Sequence, residues 1–97
     1  MKFKYTVVVT RWFDKVNGNT YHSGEITSNT TGQVFPVDYQ YGYGEQYKQS
    51  ALEVLTNARK IPIAYRGLHR WKYERENNYP IHWICFDVDR KKDMVKL

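Results

Sequence analysis

Little in this chain could lock it together from outside the fold. Cys85 is its one cysteine and has no partner for a bridge within the chain. A single thiol in an apolar run fits a reducing compartment and a structural role. No apolar run approaches the roughly 20 residues that a membrane-spanning helix needs. The start, Met1-Lys-Phe-Lys-Tyr5, lacks the long apolar stretch of a secretion leader, so a cytoplasmic location is expected. On the same ground Asn29-Thr30-Thr31 is discounted as a glycosylation acceptor. Charge of one sign is sparse too. The formal balance is +5, with no block of like charge before Arg90-Lys91-Lys92. That tilts weakly toward an anionic partner and argues against an acidic mimic of DNA.

Chemical motifs are equally thin. His22, His69 and His82 are isolated, with no His-x-x-x-His or Cys-x-x-Cys spacing, so no zinc site is expected. Asp87 and Asp89 share one face at a strand end, as in some magnesium-dependent nucleases, but a two-residue pattern is common by chance. Tyr41-Gly-Tyr-Gly-Glu45 lacks both the lysine of a phosphate-binding loop and the third glycine of a dinucleotide fingerprint. His22 beside Ser23 is no catalytic pair, because adjacent strand residues point to opposite faces. The expectation is a protein with no catalytic residue, no metal and no cofactor.

What is abundant is aromatic. Nine Tyr, three Trp and four Phe make up 16% of 97 residues, and much of the core must be built from such rings. With a mean hydropathy of -0.74 the remainder is polar. Residues 1–97 are therefore expected to form one small soluble domain, with 90–97 a charged tail inclined to fray. The densest aromatic stretch is Tyr39-Gln-Tyr-Gly-Tyr-Gly-Glu-Gln-Tyr47. Gly42 and Gly44 let the main chain turn sharply there and approach a ligand. A helix starting just after them offers free N–H groups to an anion.

In chain order, residues 2–13 read as a strand paired on both edges, with Phe3, Tyr5, Val7 and Val9 on one side and Val8 making the middle apolar on both. Asn17-Gly18 signals a two-residue hairpin turn. A second strand follows at about 19–28, with Tyr21 and Ile26 inside and Gly24 at a bulge. After a turn at 28–32, a third strand at 33–40 carries Pro36 and so belongs at an edge or carries a local break. Residues 45–60 place Tyr47, Ala51, Leu52, Val54, Leu55 and Ala58 on one helical stripe, with Gly44 as N-cap, Arg59 and Lys60 in the last turn and Pro62 as the stop. Residues 63–67 suggest a short strand. Residues 68–76 alternate imperfectly and suggest another, in a hairpin with 81–88, which is apolar on both faces and so expected to be central. The fold class is α+β: an antiparallel sheet of about five strands with one helix packed on one face.

Two constellations could carry chemistry. Around the first hairpin, Arg11, Trp12, Asn17, Asn19, Thr20, Tyr21, His22 and Ser23 crowd polar groups at a hairpin mouth, and Arg11 is a two-pronged donor suited to phosphate. With Tyr41, Gly42, Tyr43, Gly44 and Tyr47 they form the expected ligand site. The alternative lies at Arg66, His69, Arg70, Trp71, Lys72, Tyr73 and Arg75, where cations for phosphates alternate with rings for bases.

The pairing of Trp12-Phe-Asp-Lys-Val-Asn-Gly-Asn-Thr-Tyr-His-Ser23 with Tyr41-Gly-Tyr-Gly-Glu-Gln-Tyr47 resembles small uncharacterised proteins encoded by bacteriophages. The resemblance covers roughly residues 5–58. It implies a viral accessory protein acting in a bacterial cytoplasm, and it supplies no activity or catalytic residue. Such proteins are often inhibitors, or sponges that sequester a nucleotide signal made by host defences. The leading expectation is thus a non-enzymatic, anti-defence protein that binds a small nucleotide-like anion. A homo-oligomer is expected, because one small domain has little room for a deep pocket of its own. The alternatives are a nucleic-acid binder and an inhibitor of a host defence protein.

Overall fold

A computed structural model describes residues 3–65 and 70–94. Tyr5–Asp14 forms strand β1, Asn19–Ser28 β2, Val34–Tyr41 β3 and Ile81–Val88 β4; the helices are α1, Gln46–Asn57, and α2, Arg70–Glu76. The strands make one sheet in the order β3-β2-β1-β4. β1 is central, as its two-sided apolar pattern predicts. It runs antiparallel to β2 and parallel to β4. The fold class is α+β, but the sheet is mixed and has four strands among the described residues, not five antiparallel ones.

Three local expectations are overturned. Ile63–Tyr65 is a 3₁₀ turn, not a strand. Residues 70–76 are helical, and part of the expected strand, with His69 and Arg66, lies outside the described residues. β4 closes the sheet at an edge instead of its centre. Its direction follows from its connection: a hairpin would have made it antiparallel, whereas the helical route from β3 lets it return beside β1 in parallel.

Hairpin chemistry holds in outline and differs in detail. The β1–β2 loop has four residues, 15–18, because Asp14 pairs with Asn19. Gly18 takes φ 71°, and its N–H donates to the Asp14 carbonyl at 2.7 Å. The Asp14 carboxylate caps the loop, accepting from the Val16 and Asn17 main-chain N–H groups and, at 2.7 Å, from the Asn17 amide. These bonds favour the ionised form and draw its pKa below the ordinary value. The register of β2 against β3 slips between His22 and Gly24, at the expected bulge, and Pro36 lies on an edge strand.

One face of the sheet is covered by α1. Val7, Val9, Ile26, Val37, Ala51 and Leu55 are wholly buried there, joined by Tyr47, Leu52, Ile61 and Tyr73. Each such large side chain withdrawn from water contributes about 1.5–3 kcal/mol before entropy is subtracted. α1 is shorter than expected. Glu45, not Gly44, is its N-cap, and it ends with Ala58 as C-cap. Arg59 sits beyond the last turn at φ 61°, and the Lys60 N–H closes back on the Leu55 carbonyl at 2.9 Å. Tyr21 does not share the interior with Ile26. Five residues apart on one strand, they face opposite ways, and Tyr21 is half-buried on the other face.

Candidate functional site

The first hairpin and the glycine joint meet. Gly42 donates its N–H to the Thr20 carbonyl at 3.0 Å, continuing the β2–β3 pairing one residue past the strand. Gly44, at φ 63°, then swings the chain over the end of the sheet toward α1. There Arg11 Nη1 donates to the Gly44 carbonyl at 2.7 Å, while Arg11 Nε and Nη2 donate to the Asp87 carboxylate at 2.8 and 3.3 Å. The guanidinium also lies 5.9 Å from the centre of the Tyr47 ring. Its hydrogen bond to Asp87 raises the Arg11 pKa above an already high value.

These groups border a cleft of about 390 Å³ lined by Arg11, Phe13, Thr20, Gly44, Asp87, Val88 and Asp89. Of the expected site residues it gathers Arg11, Thr20 and Gly44. Tyr43 precedes Gly44 in the chain and is 66% exposed, but it does not line the cleft. Its four other members were not expected there: Phe13, 52% exposed, Val88, and the carboxylates Asp87 and Asp89. Asp87 is engaged with Arg11, and among the described residues no three His, Cys, Asp or Glu side chains converge on a point that could hold a metal.

The remaining residues lie elsewhere. Asn17 is at the loop tip, tied to Asp14, and Asn19 closes the hairpin opposite Asp14. Trp12, Tyr21 and Tyr39 stack across three strands on the face away from α1, with ring centres 5.9 and 5.1 Å apart, and Tyr41 meets Tyr21 edge-on. Tyr47 is buried, edge-on to Trp83. In the alternative set, Lys72 and Trp71 are exposed, and Arg75 lies 4.9 Å over the Trp71 ring. Helical i, i+4 spacing brings those two together, where a strand would have kept them apart.

His22 has a different task from the one expected. It is fully buried, with Nδ1 3.2 Å from the Gly42 carbonyl and Nε2 2.8 Å from Ser50 Oγ. A carbonyl can only accept, so Nδ1 carries the hydrogen of the neutral ring and Nε2 accepts from the Ser50 hydroxyl. Ser50 also lies within reach of the Gln46 carbonyl and Gln40 Oε1. The arrangement bolts the sheet to the middle of α1. It also explains Gly42: a Cβ there would sit 2.7 Å from the His22 ring. Burial lowers the His22 pKa, which keeps it neutral. A 28-residue separation hides this pair from any local reading of the sequence.

Cys85 is free and half-buried, near Arg11 and Tyr47; burial pushes its thiol pKa up, away from a reactive thiolate. No helix among the described residues is long and apolar enough to cross a membrane. Comparison with protein families, with curated proteins and with solved structures finds no match to this chain.

Proposed function

We propose that the chain is a non-enzymatic binding protein that holds a small nucleotide-like anion in the Arg11–Gly44 cleft. The supporting observation is the position of Arg11, where one guanidinium bridges the hairpin strand, the glycine joint and the end of β4. The hydrogen bond to the Gly44 carbonyl at 2.7 Å holds its aim before any ligand arrives, which lowers the ordering cost of binding. Phe13 offers a ring face for a base, Thr20 a hydroxyl, and the remaining guanidinium N–H groups a grip on an oxyanion. The resemblance to phage-encoded proteins favours sequestration of such a ligand as the purpose.

Asp87 is the competitor in this reading. Its side chain is 74% exposed, and an exposed pair of this kind is worth about 0–1 kcal/mol, so a phosphate can displace it. The test is calorimetric titration with nucleoside mono- and diphosphates. Arg11→Ala should weaken binding at least tenfold with the fold intact, and Asp87→Ala should tighten it severalfold. Weaker binding in Asp87→Ala would show that the carboxylate holds a donor-bearing ligand, and the anion reading would fall. A single nucleotide should also show weak salt dependence, unlike a polyanion gripped at many phosphates.

A second reading, an inhibitor of a host protein, is favoured by the exposed Phe13, Val16, Tyr41 and Tyr43 at this same end of the sheet, which are suitable anchors for a partner. A stoichiometric bacterial partner that is lost in Tyr43→Ala would support it.

A further inference from the structure

β4 has the composition of a central strand and the position of an edge strand. Ile81-His-Trp-Ile-Cys-Phe-Asp-Val88 contains no proline or lysine and one charged residue, Asp87. The opposite edge, β3, carries Pro36 and Asp38, the usual guards against strand addition. Residues apolar on both faces are expected where a strand has a neighbour on each side. Among the described residues β4 has one neighbouring strand, β1.

Its unpaired side can be identified. The Pro80 carbonyl accepts from the Tyr5 N–H at 3.3 Å, and main-chain groups alternate in direction along a strand. His82, Ile84, Phe86 and Val88 therefore turn their N–H and C=O groups toward β1. Ile81, Trp83, Cys85 and Asp87 turn theirs outward, away from every other strand among the described residues.

We infer that β4 pairs antiparallel with β4 of a second copy of this chain, joining two four-stranded sheets into one of eight strands across a two-fold axis at Ile84. This register pairs all four outward-facing residues with one another: Ile81 with Asp87, and Trp83 with Cys85, each twice. Between them, the non-hydrogen-bonded positions set Ile84 against its own copy and His82 against Phe86 on the face away from α1, where Phe86 is 53% exposed. No two like charges oppose each other. A two-fold self-pairing is isologous and closed, so it ends at the dimer, with β3 and its Pro36 at both outer edges. A second copy is favoured over a foreign strand because this segment complements itself in both main chain and side chain. The inference does not depend on the ligand reading, since no ligand takes part.

The test uses ligand-free protein. Native mass spectrometry and light scattering at about 100 μM, in the range where small interfaces associate, should give twice the 11.6 kDa monomer mass. Phe86→Lys alters only an exposed position and should shift the species to monomer with unchanged circular dichroism. For the register, Ile84→Cys in a Cys85→Ser background places two thiols directly opposite at a non-hydrogen-bonded pair, the close-approach position; mild oxidation should yield a covalent dimer in high yield. A wild-type monomer at about 100 μM, or a dimer indifferent to Phe86→Lys, would overturn the interface. Dimerisation of the Ile84→Cys variant without a cross-link would overturn the register.

Discussion

The two faces of the sheet are made from the same strands and are built in different ways. On the α1 side, Val7, Val9, Ile26 and Val37 are wholly buried, and the polar His22 is fixed by two defined partners. On the other side the rings of Trp12, Tyr21 and Tyr39 lean on one another, half-exposed, and neither α1 nor α2 covers them. What reaches them is the segment after β4, a 3₁₀ turn at Lys91–Asp93 that puts the Lys91 ammonium 4.9 Å from the centre of the Tyr39 ring; Met94, next in the chain, is buried. The first face supplies stability by excluding water behind close packing. Aromatics on the second retain partial contact with solvent, which rings tolerate better than aliphatic chains do. Substitutions should therefore cost several-fold more on the α1 face.

The largest effect is expected at Gly24. A Cβ there would lie 2.2 Å from the Val8 carbonyl oxygen and 2.8 Å from both Val9 Cα and Cγ2, and two of those three atoms are backbone and cannot swing away. Gly24→Ala should destabilise by about 3 kcal/mol or more, read as a drop in the urea midpoint. Gly18→Ala, where no atom lies within 4 Å of the new Cβ and the strain comes from φ alone, should cost about 1 kcal/mol. Gly18 lies in the hairpin loop outside both faces and so isolates backbone strain; if the two cost the same, the contact of a Cβ with Val8 and Val9 is not what makes Gly24 obligatory on the α1 face.

His22 comes next, and pH gives it a distinct signature. Its pKa is lowered in the fold by burial, so the unfolded chain takes up a proton at a higher pH than the folded one. The stability that neutral His22 contributes is complete above the unfolded value near 6.5, and it declines as pH falls through the window between the unfolded and folded values. The melting temperature should thus fall between about pH 7 and pH 5. His22→Gln should flatten that slope and cost about 1–3 kcal/mol at neutral pH, because Ser50 and Gly42 are left imperfectly paired. An unchanged slope in the variant would assign the pH response to other groups.

How much of this could be read from the sequence varies with how local the cause is. The central place of β1, the Gly24 bulge, the edge position of Pro36 and the stripe of α1 each follow from residues within a few positions of one another. β4 could not be placed that way. Its two-sided apolar pattern suits a central strand, and its parallel direction is set by the helical path from β3, which its own residues do not encode. Residues 70–76 misled because Trp71 and Tyr73 alternate like a strand, while the pairing that matters is Trp71 with Arg75 one helical turn on. At the site, Arg11 and the glycine joint were visible as parts, since an arginine beside a hairpin and glycines before a helix carry recognisable chemistry. Their meeting through Asp87, 76 residues from Arg11, was not. Neither was the diversion of His22 into a structural bolt.

The smallest expected effect belongs to the open face and sets the scale for the rest. Lys91 approaches Tyr39 from solvent, and the attraction of an ammonium for the ring face is its main tie. An exposed contact of this type is worth about 0.5–1 kcal/mol. Lys91→Ala should fall at the low end of that range, because the segment is also held by the buried Met94 and by the Arg90–Asp93 pair at 3.3 Å. Lys91→Arg should restore the loss, since a guanidinium can occupy the same place over the ring, whereas Lys91→Gln should not. A loss above about 2 kcal/mol in Lys91→Ala, beyond what an exposed contact supplies, would mean that the crossing segment supports this face as firmly as α1 supports the other, and the contrast between the two faces would have to be abandoned.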